Sequence, residues 1–286
     1  VMTSLSLGRD RLCLYGRSGG ACLIIQLLTL RPDLGARAYA QAAVNHELDG
    51  RWGVSPDPFW REFSAAEPAV ARDLAAFAAR HPEQRRDLVL VLQRQHFFIP
   101  LTDLPAARLA AARAFLDGDT AAIAALRTRY QVDQIERDRL TPEGVGSAVR
   151  ISEFAAPLAD PRSRNEALMP DSEALFHYAR PLLDPGAPAM PRAAPADWPR
   201  LREQSSEVLL IAGRHDQTCD YRTQIGLNGM IRNSHLLLLD DDHVFKRWTE
   251  SGTQPALLRA FFAHGRESPE FRRAAAAMEM LRWREA

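Results

Sequence analysis

The chain has 286 residues, 46% of them hydrophobic, with 36 basic and 36 acidic side chains and a formal net charge of zero. That length holds one large domain, or a domain with a sizeable insertion. The balanced charge gives no electrostatic footprint for nucleic acid or an anionic membrane, and no apolar run approaches the ~20 residues that span a bilayer.

The opening residues, VMTSLSLGRD, read as the end of a helix and a turn. A short strand is predicted over Arg11–Tyr15, then a glycine turn, then an apolar helix over Ala21–Leu30 stopped by Arg31-Pro32-Asp33. A second strand is predicted over Ala36–Val44. Strand, turn, helix, strand is an α/β pattern. Residues 51–199 then read as helices, with apolar side chains at three- and four-residue steps and charges between them. Asp103 before Pro105, and Asp117-Gly118-Asp119, mark helix boundaries. The proline-rich stretch 184–199 reads as a return linker. The α/β texture resumes with a buried strand at Glu207–Ala212, a helix near Tyr221–Ile231 and a strand at His235–Leu239. A helical segment through Phe262 and a charged helical tail follow. The expected organisation is therefore a core from residues 1–50 and 200–286, interrupted by a helical block at 51–199.

Cys13, Cys22 and Cys219 are odd in number and fit no metal-ligand spacing. Two of them lie in apolar runs and read as small buried hydrophobes. With no secretory signal in the sequence, this favours a reducing, cytoplasmic compartment. Neither a metal nor an organic cofactor is implied.

The chemistry concentrates in three segments. Ser18 sits in Gly16-Arg17-Ser18-Gly19-Gly20, between a strand and a helix. This G-x-S-x-G pattern fits a strained turn that exposes a nucleophilic hydroxyl at a helix N-terminus, with the Gly19 N–H placed to donate to an oxyanion. It also fits an ordinary tight turn. Asp216 stands just past the carboxyl end of the VLLIA strand, where functional groups collect in open α/β sheets. Capping of the next helix is its structural alternative, and Asp220 is a rival acid. His243 follows the last strand, in a run Asp240-Asp241-Asp242 that reads equally as a solvated turn. Among the eight histidines it alone combines a place after the last strand with the order serine, acid, histidine. A serine, a base that takes its proton and a carboxylate that orients the base make a nucleophilic triad.

LYGRSGGA, IAGRHD and DDDHVF resemble the nucleophile, acid and histidine segments of the α/β-hydrolase superfamily. The resemblance implies a mostly parallel sheet flanked by helices, with the helical block as a cap inserted between strands. Within the superfamily the chain resembles the proline iminopeptidase-like branch. There, cap carboxylates hold a substrate's free amino group, and RISEFAAP and PDSEALFHYARPL offer Glu153 and Glu173 for that role. Exposed helix-surface carboxylates are the alternative for both. The resemblance implies a serine hydrolase of small-molecule or short-peptide substrates: an aminopeptidase, or an esterase or thioesterase. A non-hydrolytic ligand-binding member of the fold is a third reading. Such folds carry further strands before the elbow strand, together with the loop that gives the second oxyanion donor. Because the elbow strand comes so early here, those strands are expected from an upstream part of the chain or from a second polypeptide; a homo-oligomer is a separate alternative for the assembly. The aromatic groupings His96-Phe97-Phe98 and Trp52…Phe59-Trp60 suit either core packing or an apolar pocket.

Overall fold

The computed structural model describes residues 8–43, 45–54, 58–134, 168–170, 173–174 and 196–282. The chain forms two compact units, one of Val1–Val54 with Ala194–Ala286 and one of Ser55–Ala193.

The first unit is built on a four-stranded sheet in the order β1-β2-β3-β4. The strands are β1 Cys13–Arg17, β2 Arg37–Gln41, β3 Glu207–Gly213 and β4 Ser234–Leu239. All three pairings are parallel, so every strand delivers its carboxyl end to the same sheet edge. Parallel neighbours need crossover connections. Helix α1 (Gly19–Leu30) carries the chain from β1 to β2, and a later helix, Tyr221–Met230, carries it from β3 to β4. β1 begins two residues later than its composition suggests, because Arg9–Arg11 form a 3-10 turn. It extends through Gly16 and Arg17 because both find partners in β2, Ala40 and Gln41.

Strand residues alternate between faces. On one face Ala38 and Ala40 of β2 and Val208 and Leu210 of β3 meet Ala21, Ile24, Ile25 and Leu28 of α1, with Leu48, Trp198, Leu201, Leu227 and Ile231 completing the core. The two alanines leave room for the apolar stripe of α1 to lie against the sheet. At about 25 cal/mol per Å2 of apolar surface, each fully buried Leu or Ile here contributes about 1.5–3 kcal/mol. α1 ends at Leu30, with Arg31 as its C-terminal cap immediately before Pro32, a residue that disfavours helical geometry in its predecessor. On the other face Tyr39 is fully buried. It stacks on Tyr15 with ring centroids 5.1 Å apart and meets Phe262 edge-on at 6.4 Å. Tyr15 is itself 52% exposed on β1. Beyond β4, a bridge from Leu239 to Arg282 covers the strand end.

The second unit is helical where described: α2 lies in the first unit (His46–Trp52), then α3 Pro58–Ala66, α4 Pro68–Arg80, α5 Pro82–Arg94, α6 Leu104–Leu116 and α7 Thr120–Arg129. α5 is buried all round at Leu88–Leu92, as a central helix must be. Asp119 caps α7 by accepting from the Ala122 N–H at 2.9 Å, and Gly118 supplies the positive φ that separates α6 from α7. Both boundaries follow the expected acidic and glycine positions. The aromatic groupings divide. Phe59 is fully buried, with the Arg108 guanidinium over its ring at 4.1 Å, whereas Phe97, Phe98 and Trp52 are each more than a third exposed. Among the described residues no helix is long and apolar enough to cross a membrane.

Candidate active site

Ser18 immediately follows β1 and directly precedes α1, with φ 49° and ψ −122°. Few non-glycine residues adopt such angles, which cost on the order of 1–3 kcal/mol and persist only where the surroundings enforce them. The enforcement is visible. The Ser18 N–H donates to the Gln41 carbonyl at 2.8 Å, and the Ser18 carbonyl accepts from Ala21 and Cys22 at 2.9 and 3.1 Å. The strand ladder thus ends, and the helix begins, on one residue. The Gly19 and Gly20 N–H groups precede those first intrahelical bonds, at the positive end of the α1 dipole.

The two glycines that flank the turn differ. A Cβ at Gly16 would lie 2.4 Å from the Gly20 carbonyl oxygen and 2.8 Å from the Ala21 nitrogen. A Cβ at Gly20 would meet nothing within 4 Å. The motif therefore needs its first glycine for steric reasons and not its last. Gly16→Ala is expected to lose about 1–3 kcal/mol of stability through forced backbone displacement. Gly20→Ala is expected to be neutral, or to gain up to about 1 kcal/mol from helix propensity. Urea unfolding of the two variants, side by side, checks the contrast.

β3 ends at Gly213, and the acid loop turns back against the loop after β4. A Cβ at Gly213 would stand 2.6 Å from the Asp241 carbonyl oxygen, so the absence of a side chain lets the two loops touch. The Arg214 N–H donates to Leu239 O at 2.7 Å and the His215 N–H to Asp241 O at 3.0 Å. On this frame Asp216 meets His243: Nδ1 lies 2.9 Å from Oδ2 and 3.1 Å from Oδ1. The two side chains are 1% and 9% exposed. Asp216 Oδ1 also accepts from the Thr218 and Cys219 N–H groups, both at 2.8 Å.

Asp220 takes the helix-capping task. Its Oδ1 accepts from the Arg222 N–H at 2.9 Å at the start of α8 (Tyr221–Met230), and its carboxylate also engages the Arg222 guanidinium. The acid that meets the histidine is Asp216.

The acidic run before His243 is not a solvated turn. Asp241 and Asp242 are 1% and 6% exposed. Asp241 accepts from the Trp248 N–H at 2.7 Å, and Asp242 from those of Val244 and Phe245 at 2.9 and 2.8 Å. They clamp the turn and hold Phe245 in a left-handed conformation at φ 56°, ahead of the short helix α9 (Lys246–Glu250). Burial raises the pKa of both carboxyls. Asp240 stays outside, paired with His215 at 2.8 Å and with Arg247.

Ser18 and His243 lie on segments joined by the residues beside them. Arg17 Nη2 donates to the Val244 carbonyl at 3.3 Å. Behind it, the Gln41 amide fits with its oxygen 3.1 Å from the Arg17 guanidinium and its nitrogen 2.5 Å from the Tyr39 hydroxyl. Sequence reasoning missed both partners. Arg17 occupies a variable position of the motif, and Gln41 becomes its neighbour only through β1–β2 register.

Burial is the strongest single influence on His243 and disfavours its imidazolium. The charge and hydrogen bond of Asp216, helped by Asp242, more than offset it, and Arg17 opposes them. The net result is a pKa raised above the ordinary 6.5. An imidazole must be neutral to accept a proton, so that capacity is lost as pH falls through this raised value. The acidic limb of kcat/KM is expected above pH 6.5, and a limb at or below it would contradict the pairing. For stability the sign reverses: the contribution is complete below 6.5 and is lost as pH rises through the folded-state value.

In the helical unit, Glu173 receives both arms of a fork from Arg85, at 2.8 Å to Oε2 and 2.5 Å to Oε1, and its Oε1 also accepts from the Met169 N–H at 3.2 Å. It is a half-buried ion-pair partner and not an exposed helix-surface carboxylate. Glu153 lies outside the described residues.

No family model matches the chain, and no curated protein matches it. Solved structures do. An esterase from Rhodococcus sp. ECU1013 is 14% identical, over 92% of this chain and 69% of its own, with a TM-score of 0.42. A meta-cleavage product hydrolase from Pseudomonas fluorescens IP01 is 14% identical, over 91% and 67%, with a TM-score of 0.38. A 2-hydroxy-6-oxo-6-phenylhexa-2,4-dienoate hydrolase from Rhodococcus sp. strain RHA1 is 14% identical, over 92% and 67%, with a TM-score of 0.33. What this chain presents in its own right is a parallel α/β sheet flanked by helices, with a strained serine and a buried aspartate–histidine pair at its carboxyl edge.

Proposed function

We propose that the chain is a serine hydrolase that cleaves an ester of a small substrate through an acyl-enzyme. The observation that carries the reading is the buried Asp216–His243 pair, on a loop tied through Arg17 to the strained Ser18 turn. With Nδ1 held by Asp216, Nε2 is the nitrogen left to exchange protons. As Ser18 Oγ bonds to the carbonyl carbon, its proton passes to His243 Nε2 and the carbonyl π pair moves onto oxygen. The Gly19 N–H donates to that oxyanion, and a donor of this kind is worth about 3–4 kcal/mol. Collapse breaks the bond to the leaving group, which takes the proton from His243. Water then repeats the sequence on the acyl-enzyme and restores Ser18.

Ester cleavage is favoured over an N-terminal aminopeptidase on one observation. An ammonium anchor needs an uncommitted carboxylate, and both oxygens of Glu173 are engaged by Arg85. A panel of acyl esters and of proline and alanine arylamides tests the reading. Ester turnover with a burst of the first product, and no arylamide turnover, is the expected outcome. Arylamide turnover that Glu153→Gln removes would restore the aminopeptidase reading. Turnover of neither class would favour a ligand-binding role.

A further inference from the structure

We propose that Asp216, Cys219 and His243 together form a binding site for a thiophilic divalent cation, zinc above all, and that the metal switches the aspartate–histidine pair off. One oxygen, one sulfur and one nitrogen from these residues all lie within 4.8 Å of one another. Zinc takes carboxylate, thiolate and imidazole ligands at about 2.0–2.3 Å. Two such ligands in tetrahedral array stand about 3.3–3.6 Å apart. To admit the ion the Nδ1–Oδ2 distance of 2.9 Å must open by a few tenths of an ångström, and the sulfur, within 4.8 Å of the other two ligand atoms, must close on them by up to about 1 Å. The Cys219 N–H already donates to Asp216 Oδ1, which holds residue 219 beside the pair while Oδ2 faces the imidazole. Cys219 is 5% exposed, and its soft sulfur selects zinc or cobalt over magnesium or calcium. Three protein ligands leave a fourth position for water.

The inhibitory consequence rests on the serine-hydrolase reading; the binding does not. In the metal-free pair a neutral imidazole carries its proton on Nδ1, against Asp216, and accepts at Nε2. A cation on Nδ1 displaces that proton to Nε2. The Cys219 thiol gives up its proton to solvent, so one proton is released per metal bound. The imidazole then has an N–H where Ser18 needs an acceptor. Affinity rises with pH because the thiol must ionise.

Cobalt titration of the intact chain tests the site without reference to turnover. A thiolate-to-cobalt charge-transfer band is expected in the near ultraviolet. It should be lost in Cys219→Ser and in Cys219→Ala, kept in Cys13→Ser and Cys22→Ser, and bleached by zinc. No band, or a band that survives loss of Cys219, overturns the proposal whatever the catalytic activity. A Cys219-dependent band in a protein without ester turnover leaves the metal site standing and removes the hydrolase reading. A Cys219-dependent band with ester turnover indifferent to zinc overturns the switch.

Discussion

Ser18→Ala is expected to lower kcat for ester hydrolysis by about 10^6-fold, the scale on which nucleophile loss acts in serine hydrolases, while the unfolding midpoint falls by little or rises. The asymmetry follows from local geometry. The hydroxyl does no structural work that a methyl group undoes, since the backbone N–H to Gln41 and the carbonyl contacts to Ala21 and Cys22 hold the turn. Alanine meets the same strain at φ 49° as serine does. A variant that keeps its fold and loses turnover separates chemistry from architecture. Circular dichroism and initial-rate kinetics on one preparation measure both.

Asp216→Asn is expected to cost about 10^4-fold in kcat, through a tautomer and not through lost packing. Oδ1 of Asp216 accepts from the Thr218 and Cys219 N–H groups at 2.8 Å. An asparagine keeps those two bonds only with its oxygen in the Oδ1 position. Its amide nitrogen then replaces Oδ2, 2.9 Å from His243 Nδ1. Two N–H donors cannot face each other, so Nδ1 must become the acceptor and the imidazole proton moves to Nε2. The base is thereby blocked although every atom stays near its place. Losing the negative charge also removes the largest influence that raises the His243 pKa, leaving only the weaker one of Asp242. The residual activity should therefore show its acidic limb at lower pH than the parent. A variant at the parent rate, or one with an unchanged limb, would show that Asp216 does not orient the base.

The α/β class was legible because it depends on local pattern. The run VLLIA marks a strand buried on both faces, and β3 occupies it as Glu207–Gly213. The apolar stripe and the arginine–proline stop define α1. Features that depend on pairing across the chain were not legible. β1 continues to Arg17 only because Gln41 lies opposite. The capping role that composition allowed to Asp216 belongs to Asp220, because α8 starts at Tyr221. Asp241 and Asp242 look like surface residues in a triple-aspartate run, yet backbone N–H groups of the following turn draw them inside. Gly20 looks required by the motif, yet no atom occupies the space its Cβ would take. Only the β1–β2 pairing turns on a residue far along the chain; Asp220, Asp241 and Asp242 bond N–H groups two to seven residues on, where composition shows the acids but not which way each carboxylate turns.

Covalent capture is the sharpest test of Ser18 as a nucleophile activated by His243 and Asp216. The intact chain is treated with a fluorophosphonate and the adduct is mapped by mass spectrometry of its peptides. A single adduct on Ser18 is expected, absent in Ser18→Ala and formed far more slowly in Asp216→Asn. No adduct on the folded parent chain, an adduct on another residue, or labelling of Ser18 at an equal rate in Asp216→Asn would contradict it.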